Sequence, residues 1–336
     1  MQPLPLWSIV TPLMSRRVVW CIVLAALLLA GPGAAAVKPP PSAATDAASD
    51  AQLPPPALRP LLGHHNLVRV WTIHYLAHNW ISRRAYVILP SWYGPKRHPS
   101  IPLIISPHGR GIQAKQNVRL WGNLPAFGPF AVVNPEGQGR KLTLFSWGDP
   151  GEIDDLARMP DIVEEALPWL HVDPQNVYAF GGSMGGQETL LLVARFPQLL
   201  AGAAAFDAPT NMAARYKAFP LLPFGSSLQA KMALEFGGTP WQDPHVYDIR
   251  SPLDWAKRIA FSGVPLQIWW SYRDRVVVDQ WNESGLLYRE IKRLNPHAPV
   301  REFVGRWAHT AEMRAAARLP YALSLFQLMP PLSPNP

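Results

Sequence analysis

Cysteine is almost absent: 336 residues contain one, Cys21, inside an N-terminal apolar segment. Once that segment is removed, no thiol remains for a disulfide framework, a thiol nucleophile or a Cys-ligated zinc. Charge is sparse too, at 16% of residues against 48% apolar, which supports a sizeable core and excludes a mainly disordered chain. The apolar run Val18–Ala30 holds 13 residues, short of the ~20 that a membrane-crossing helix needs. Basic residues are in excess, with a formal charge of +8. Setting aside four basic and two acidic residues before position 66 leaves +6, scattered rather than blocked. No basic stripe interleaved with aromatics is present, which excludes a nucleic-acid partner, and no internal repeat is found.

What is there begins with an export signal. Arg16 and Arg17 precede the apolar run, and Ala34-Ala35-Ala36 follows it, the three parts of a secretory signal over residues 1–36. The paired arginines also fit a twin-arginine signal. An uncleaved segment would instead be a membrane anchor, the one route to a membrane partner. Residues 37–65, with Pro39-Pro40-Pro41 and Pro54-Pro55-Pro56, read as an extended linker. A catalytic domain is expected over 66–330.

Within it, short β-branched runs alternate with helical patterns, which predicts a largely parallel sheet covered on both faces. Leu67–Ile73 and Ala85–Leu89 open it as antiparallel strands. Strands are also expected at Ile101–Ser106, Phe130–Val133, Asn176–Phe180, Ala201–Phe206, Pro265–Trp270 and Val300–Val304. Helices are expected at Asp154–Leu170, Met184–Phe196, Gln280–Leu294 and Tyr321–Leu328. The proline-interrupted stretch 208–250 reads as a small cap.

Gly181-Gly182-Ser183-Met184-Gly185 falls between an apolar strand and a helix. There a serine sits on a strained turn that lifts its hydroxyl above the sheet, and the glycines allow close approach. The N–H of Met184, opening the helix, would face a developing oxyanion. Pro107-His108-Gly109-Arg110-Gly111 follows the third strand, so Gly109 or Arg110 would supply the second donor. The bland alternative is a tight turn, with His108 organising the loop.

A serine hydroxyl needs a base, and the base needs an orienting acid. Asp274 follows the strand at 265–270, and His309 follows the last strand, so both hang from the edge that carries Ser183. Asp279 is the competing acid but opens the next helix and suits a cap. His297 precedes the last strand and would emerge at the opposite edge. His74 and His78 are spaced i, i+4 but lie in strand or loop without a His-Glu-x-x-His frame, so no metal is expected.

These motifs together resemble the α/β-hydrolase superfamily over roughly residues 66–328. Phe180-Gly181-Gly182-Ser183-Met184-Gly185-Gly186 and Ala194-Arg195-Phe196-Pro197 are similar to prolyl-oligopeptidase-like and polyhydroxybutyrate-depolymerase-like esterase branches. Arg250-Ser251-Pro252-Leu253-Asp254-Trp255-Ala256 resembles the former; Asp154-Asp155 and Val172-Asp173-Pro174 resemble the latter. The resemblance implies an α/β-hydrolase fold: about eight mostly parallel strands, helices on both faces and a small cap insertion. It implies the same triad, Ser183, Asp274 and His309. Two departures stand out. Ser271 replaces the glycine usual three residues before the acid, and Met184 replaces the tyrosine after the serine, which favours esterases over peptidases.

The reading is therefore an exported serine hydrolase acting on a small-molecule or polymeric ester without a cofactor. Trp307 and Trp241 are candidate substrate-binding residues, against the commoner role of tryptophan in a core. A small-peptide hydrolase and a catalytically silent binding module are the alternatives.

Overall fold

The computed structural model describes residues 67–137 and 147–330; the expected signal and linker, and Asn66, lie outside these. Eight strands form one sheet in the order β1-β2-β4-β3-β5-β6-β7-β8. They are β1 (Val68–Leu76), β2 (Ser82–Pro90), β3 (Ile101–Ile105), β4 (Ala131–Pro135), β5 (Val172–Gly182), β6 (Gly202–Phe206), β7 (Leu266–Ser271) and β8 (Val300–Gly305). β1 and β2 pair antiparallel, as does β2 with β4, and all later neighbours are parallel.

Side-chain alternation sends each strand into two cores. Ile105, Ala179, Ile268 and Trp270 join one, whereas Ile104, Phe180 and Trp269 join the other. The second is aromatic: Trp269 stacks on Phe303 at 4.0 Å, and Phe206 stacks on Trp269 at 5.6 Å. Helices α1 (Ala114–Trp121) and α9 (Leu319–Ser324) cover that face. The first face carries α2 (Pro150–Ala157), α3 (Met159–Ala166), α4 (Met184–Arg195) and α8 (Ser284–Leu294).

Several boundaries differ from the sequence expectation for local reasons. The single helix expected over 154–170 is two, α2 and α3, meeting at Arg158 (φ −84°, ψ −5°). Pro160 lacks the N–H needed to continue α2, and Asp149 starts that helix early by accepting the Gly151 N–H at 3.0 Å. The segment expected as helix over 280–294 breaks at Glu283 into a 3-10 turn and α8. Asp279 does not cap it: its side chain accepts from Asn282 Nδ2 at 2.6 Å, in a left-handed backbone conformation (φ 60°). The last helix starts and ends earlier than expected, at Leu319 and Ser324, and α1 is a helix that was not expected from the sequence.

Residues 208–250 hold α5 (Met212–Ala218), α6 (Gly225–Phe236) and α7 (Pro244–Asp248). Met212, Tyr216, Phe219, Met232, Phe236 and Tyr247 pack together with Trp147 and Met184, so this segment has its own small core resting on the start of α4. Among the described residues, no helix is long and apolar enough to cross a membrane.

One charge is placed against the fold. Glu188, 5% exposed on α4, has its pKa pushed well above the ordinary value by burial and by the nearby Glu152 charge, against a Gly148 N–H hydrogen bond. A carboxyl whose pKa is raised on folding binds its proton more tightly in the native state, so it costs stability as pH climbs above its unfolded value. Glu188→Gln is expected to melt higher than wild type at pH 8 and to lose that advantage at pH 4, at about 2–4 °C per kcal/mol. Thermal melts of both proteins across that range check it.

Candidate active site

Ser183 follows the last residue of β5 and immediately precedes α4, with φ 58° and ψ −127°. A non-glycine residue there is strained, and strain of this kind persists only where the surroundings enforce it. They do so through backbone: the Ser183 N–H donates to Phe206 O at 2.8 Å, and its carbonyl accepts from Gln187 N–H at 3.0 Å. The glycines of the motif are where chain meets chain. A Cβ on Gly181 would overlap the Gly185 carbonyl, and one on Gly185 would overlap the carbonyl of Pro107. The helix start and the loop after β3 are thus pressed together without side chains between them.

That loop holds Gly109, where a Cβ would sit 3.6 Å from the Ser183 Cβ. The His108 ring ties the loop down: Nδ1 lies 2.9 Å from Gly109 O, and Nε2 accepts the Gly137 N–H at 3.2 Å. Nε2 as acceptor makes Nδ1 the protonated nitrogen, and burial lowers the ring's pKa, so a neutral imidazole fits both bonds. Arg110 extends towards the cap, its guanidinium 5.3 Å from the centre of the Trp147 ring. Met184 is buried in the cap's core, and its N–H, in the first helical turn, has no acceptor within the helix.

Asp274 lies in the loop after β7 and His309 in the loop after β8. The Asp274 Oδ2 is 2.7 Å from His309 Nδ1, with the acid's side chain almost wholly buried and the imidazole partly exposed. Asp274 Oδ1 accepts the N–H groups of Val276 and Val277 at 2.8 and 3.0 Å, and Oδ2 also accepts from Gln280 Nε2 at 3.1 Å. Burial pushes its pKa up, but the His309 hydrogen bond and charge and the donors around it outweigh burial and hold the carboxyl below its ordinary value. Asp279 and His297 are exposed. The His309 loop meets the nucleophile turn directly, since Thr310 Cγ2 is 3.0 Å from where a Gly182 Cβ would sit.

Trp307 packs with the aromatic core, 6.3 Å from Trp269 and beneath the Arg318 guanidinium. Trp241 is 67% exposed on the cap, edge-on to Tyr216, with the Lys217 ammonium over its ring.

Four contributors lack a motif: Ser271 reads only as a departure from the usual glycine, and the other three go unread in the sequence. Ser271, the residue standing where glycine is usual, donates its hydroxyl to Trp307 O at 2.6 Å and accepts the Arg273 N–H, joining the acid and base loops. Arg215 of α5 is buried over the Phe219 ring and donates Nη2 to Val276 O, bracing the acid loop from the cap. Glu283 accepts from the Thr210 N–H and hydroxyl and from the Asn211 N–H, anchoring the start of the cap. Asp207, after β6, accepts the Thr310 N–H at 2.7 Å.

Two clusters of acids and histidine are compact enough for a metal ion among the described residues: His78, Glu152 and Asp155, and Asp207, Asp274 and His309. In the first, Arg83 already supplies positive charge against Glu152 and Asp155. In the second, the 2.7 Å contact between Asp274 and His309 is a direct hydrogen bond.

The glycines separate two outcomes. Gly185→Ala is expected to lower the melting temperature strongly or prevent folding, because its methyl meets a backbone carbonyl. Gly109→Ala, which meets only ordinary van der Waals contacts, should fold with a melt close to wild type. Circular dichroism melts of the two variants test this.

Residues 135–297 match the prolyl oligopeptidase family. No curated protein sequence matches the chain. Among solved structures, the chain is similar to the Pyrococcus horikoshii acylaminoacyl peptidase, at 15% identity and a TM-score of 0.59 over 78% of this chain and 41% of that one. It is similar also to the Pyrococcus furiosus esterase, at 17% identity and a TM-score of 0.53 over 77% of this chain and 91% of that one. The third is the Staphylococcus aureus S-formylglutathione hydrolase, at 13% identity and a TM-score of 0.54 over 79% and 95%. The chain thus spans less than half of the acylaminoacyl peptidase's length, and at these identities the likeness is one of fold. With the sheet order, the family match and the serine on its strand-to-helix turn taken together, the chain has the α/β-hydrolase fold and is similar to the prolyl oligopeptidase family over residues 135–297.

Proposed function

We propose that the chain is a carboxylesterase that works through an acyl-enzyme on Ser183. The observation that carries the reading is the 2.7 Å bond between the buried Asp274 carboxylate and His309 Nδ1, in the loops beside the strained serine. That bond fixes the imidazole tautomer with Nε2 unprotonated, the form that accepts a hydroxyl proton.

Attack of Ser183 Oγ on the ester carbonyl would pass its proton to His309, and Asp274 would stabilise the imidazolium. The N–H groups of Met184 and of Gly109 or Arg110 would take the oxyanion, each donor worth on the order of 10²–10³ in rate. His309 then protonates the departing alkoxide. Water, deprotonated by the same imidazole, releases the acid and restores the serine. No cofactor enters these steps.

Support for an ester over a peptide comes from scale: the described residues make one α/β unit, and the chain covers nearly all of the esterase and the S-formylglutathione hydrolase. The match to the prolyl oligopeptidase family favours a small-peptide hydrolase as the second reading. Arg16, Arg17 and the apolar run support export, with the ester met outside the cytoplasm.

A fluorophosphonate probe and panels of p-nitrophenyl esters and aminoacyl p-nitroanilides test the reading. Wild type should label and turn over esters faster than anilides, whereas Ser183→Ala should do neither and His309→Ala should fall by about 10⁶ in kcat. Faster anilide turnover would move the assignment to a peptidase. A folded protein that neither labels nor turns over would make it a binding module.

A further inference from the structure

Asp207 has a position that the triad does not require. It directly follows β6, is fully buried, and has a left-handed backbone (φ 46°) held by its N–H donating to Trp269 O at 2.8 Å. One oxygen accepts the Thr310 N–H, next to His309 in the chain. A carboxylate oxygen of Asp207, one of Asp274 and a ring nitrogen of His309 all lie within 4.8 Å of one another. Two acids therefore face one imidazole, one from the end of β6 and one from the end of β7.

Two adjacent carboxylates repel unless one carries a proton, and Glu312 shows where that proton resides. Glu312 is 2% exposed and is the side-chain hydrogen-bond partner of Asp207. Both of its oxygens, and Asp207 Oδ1, are buried without a donor from any other side chain. A carboxyl proton between the two side chains bridges one oxygen of each. The groups that face Asp207 are Asp274 from the loop after β7, and His309 and Glu312 from the loop after β8. Burial first, and then the Asp274 charge, push its pKa up to about 7, while Glu312 is raised well above its ordinary value.

We propose that Asp207 is a second positioning carboxylate for His309: beside Glu312 it holds the imidazole loop through Thr310 N–H, and once ionised, with Glu312 donating to it, it joins Asp274 in stabilising the imidazolium. The inference rests on the hydrolase reading for its catalytic consequence but not for its electrostatic one. Ionisation of Asp207, with Glu312 still protonated and donating to it, adds one negative charge beside His309, so the imidazolium is favoured more strongly above neutral pH than below it. The arrangement also gives His309 a partner within reach if Asp274 loses its charge.

The test uses the full chain and two independent readings. In the first, the pH at which the His309 ring signals titrate is followed by NMR in wild type, Asp207→Asn, Glu312→Gln and Glu312→Leu. Removing the Asp207 charge should move that pH down. Glu312→Leu removes the hydrogen bond that lowers the Asp207 pKa and should also move it down, whereas Glu312→Gln keeps a donor and should leave it close to wild type. A purely structural role for the pair would move the melt and leave the His309 titration where it is. In the second, kcat/KM for p-nitrophenyl acetate is measured for Asp274→Asn and for the double variant with Asp207→Asn. Asp274→Asn should keep turnover that rises across neutral pH, and the double variant should lose about tenfold more, one unit of imidazole pKa. A His309 titration that is unchanged in Asp207→Asn and Glu312→Leu, or raised in either, overturns the proposal. So does a double variant no slower than Asp274→Asn. Should Asp207→Asn not fold, the contrast between Glu312→Leu and Glu312→Gln decides alone. If Ser183 resists the fluorophosphonate, the hydrolase reading fails while the His309 titration still decides this one.

Discussion

The site depends on the parallel hydrogen-bond ladder running one residue past the ends of its strands. Ser183 donates its N–H to Phe206 O, Asp207 donates to Trp269 O, and Tyr272 donates to Gly305 O, each at 2.8–3.0 Å. Each bond ties the first residue beyond one strand to the next strand, at its last residue for Phe206 and Gly305 and two residues before its end for Trp269. The turns leaving β5, β6 and β7 are thereby fixed to one another by backbone rather than by side-chain packing. Two of those first residues, Ser183 and Asp207, have positive φ, and Thr310 in the β8 loop does as well. Strain accepted at these positions is offset by a sheet whose interior strands are covered on both faces.

Above that frame, the cap applies cations to aromatic faces. Arg110 lies over Trp147, Arg215 over Phe219, and Arg250 over Phe236, and burial lowers the pKa of all three guanidiniums. Each buried charge has an opposing acid nearby: Glu235 for Arg110, Glu283 and Asp274 for Arg215, Asp149 and Glu235 for Arg250. Such pairs contribute little net stability but fix geometry, since removing one partner strands the other. Gln187 joins the layers, donating Nε2 to Trp147 O and to Arg250 O from the first turn of α4.

Legibility in the sequence followed the range of the interactions. Short apolar, often β-branched runs marked all eight strands, because a strand covered on both faces must be apolar on each side. The serine turn was readable because its glycines are demanded within five residues, and Asp274 and His309 because strand ends order them along the chain. Long-range features were not. Asp207 is one acid among many until β6 and β8 bring it against Thr310, 103 residues away. Ser271 read as a mild departure from glycine, though its hydroxyl joins two loops that lie 36 residues apart. Helix boundaries failed where a single residue decided them: Pro160 divides one helix, and Glu283, whose carboxylate is engaged with the cap, divides another.

The contact between Gly185 and the carbonyl of Pro107 divides the molecule into parts with different freedom to change. Because main chain touches main chain there, the spacing between the α4 start and the loop after β3 is independent of which side chains fill the cap. On the proposed esterase reading, the residues of 208–250 can therefore be exchanged for others of a different shape and the acyl or alcohol group admitted will change, while the spacing between the Met184 and Gly109 N–H groups will not. A library confined to α5, α6 and α7 would explore selectivity over a fixed reaction centre, whereas one that included position 185 would mostly sample broken frames.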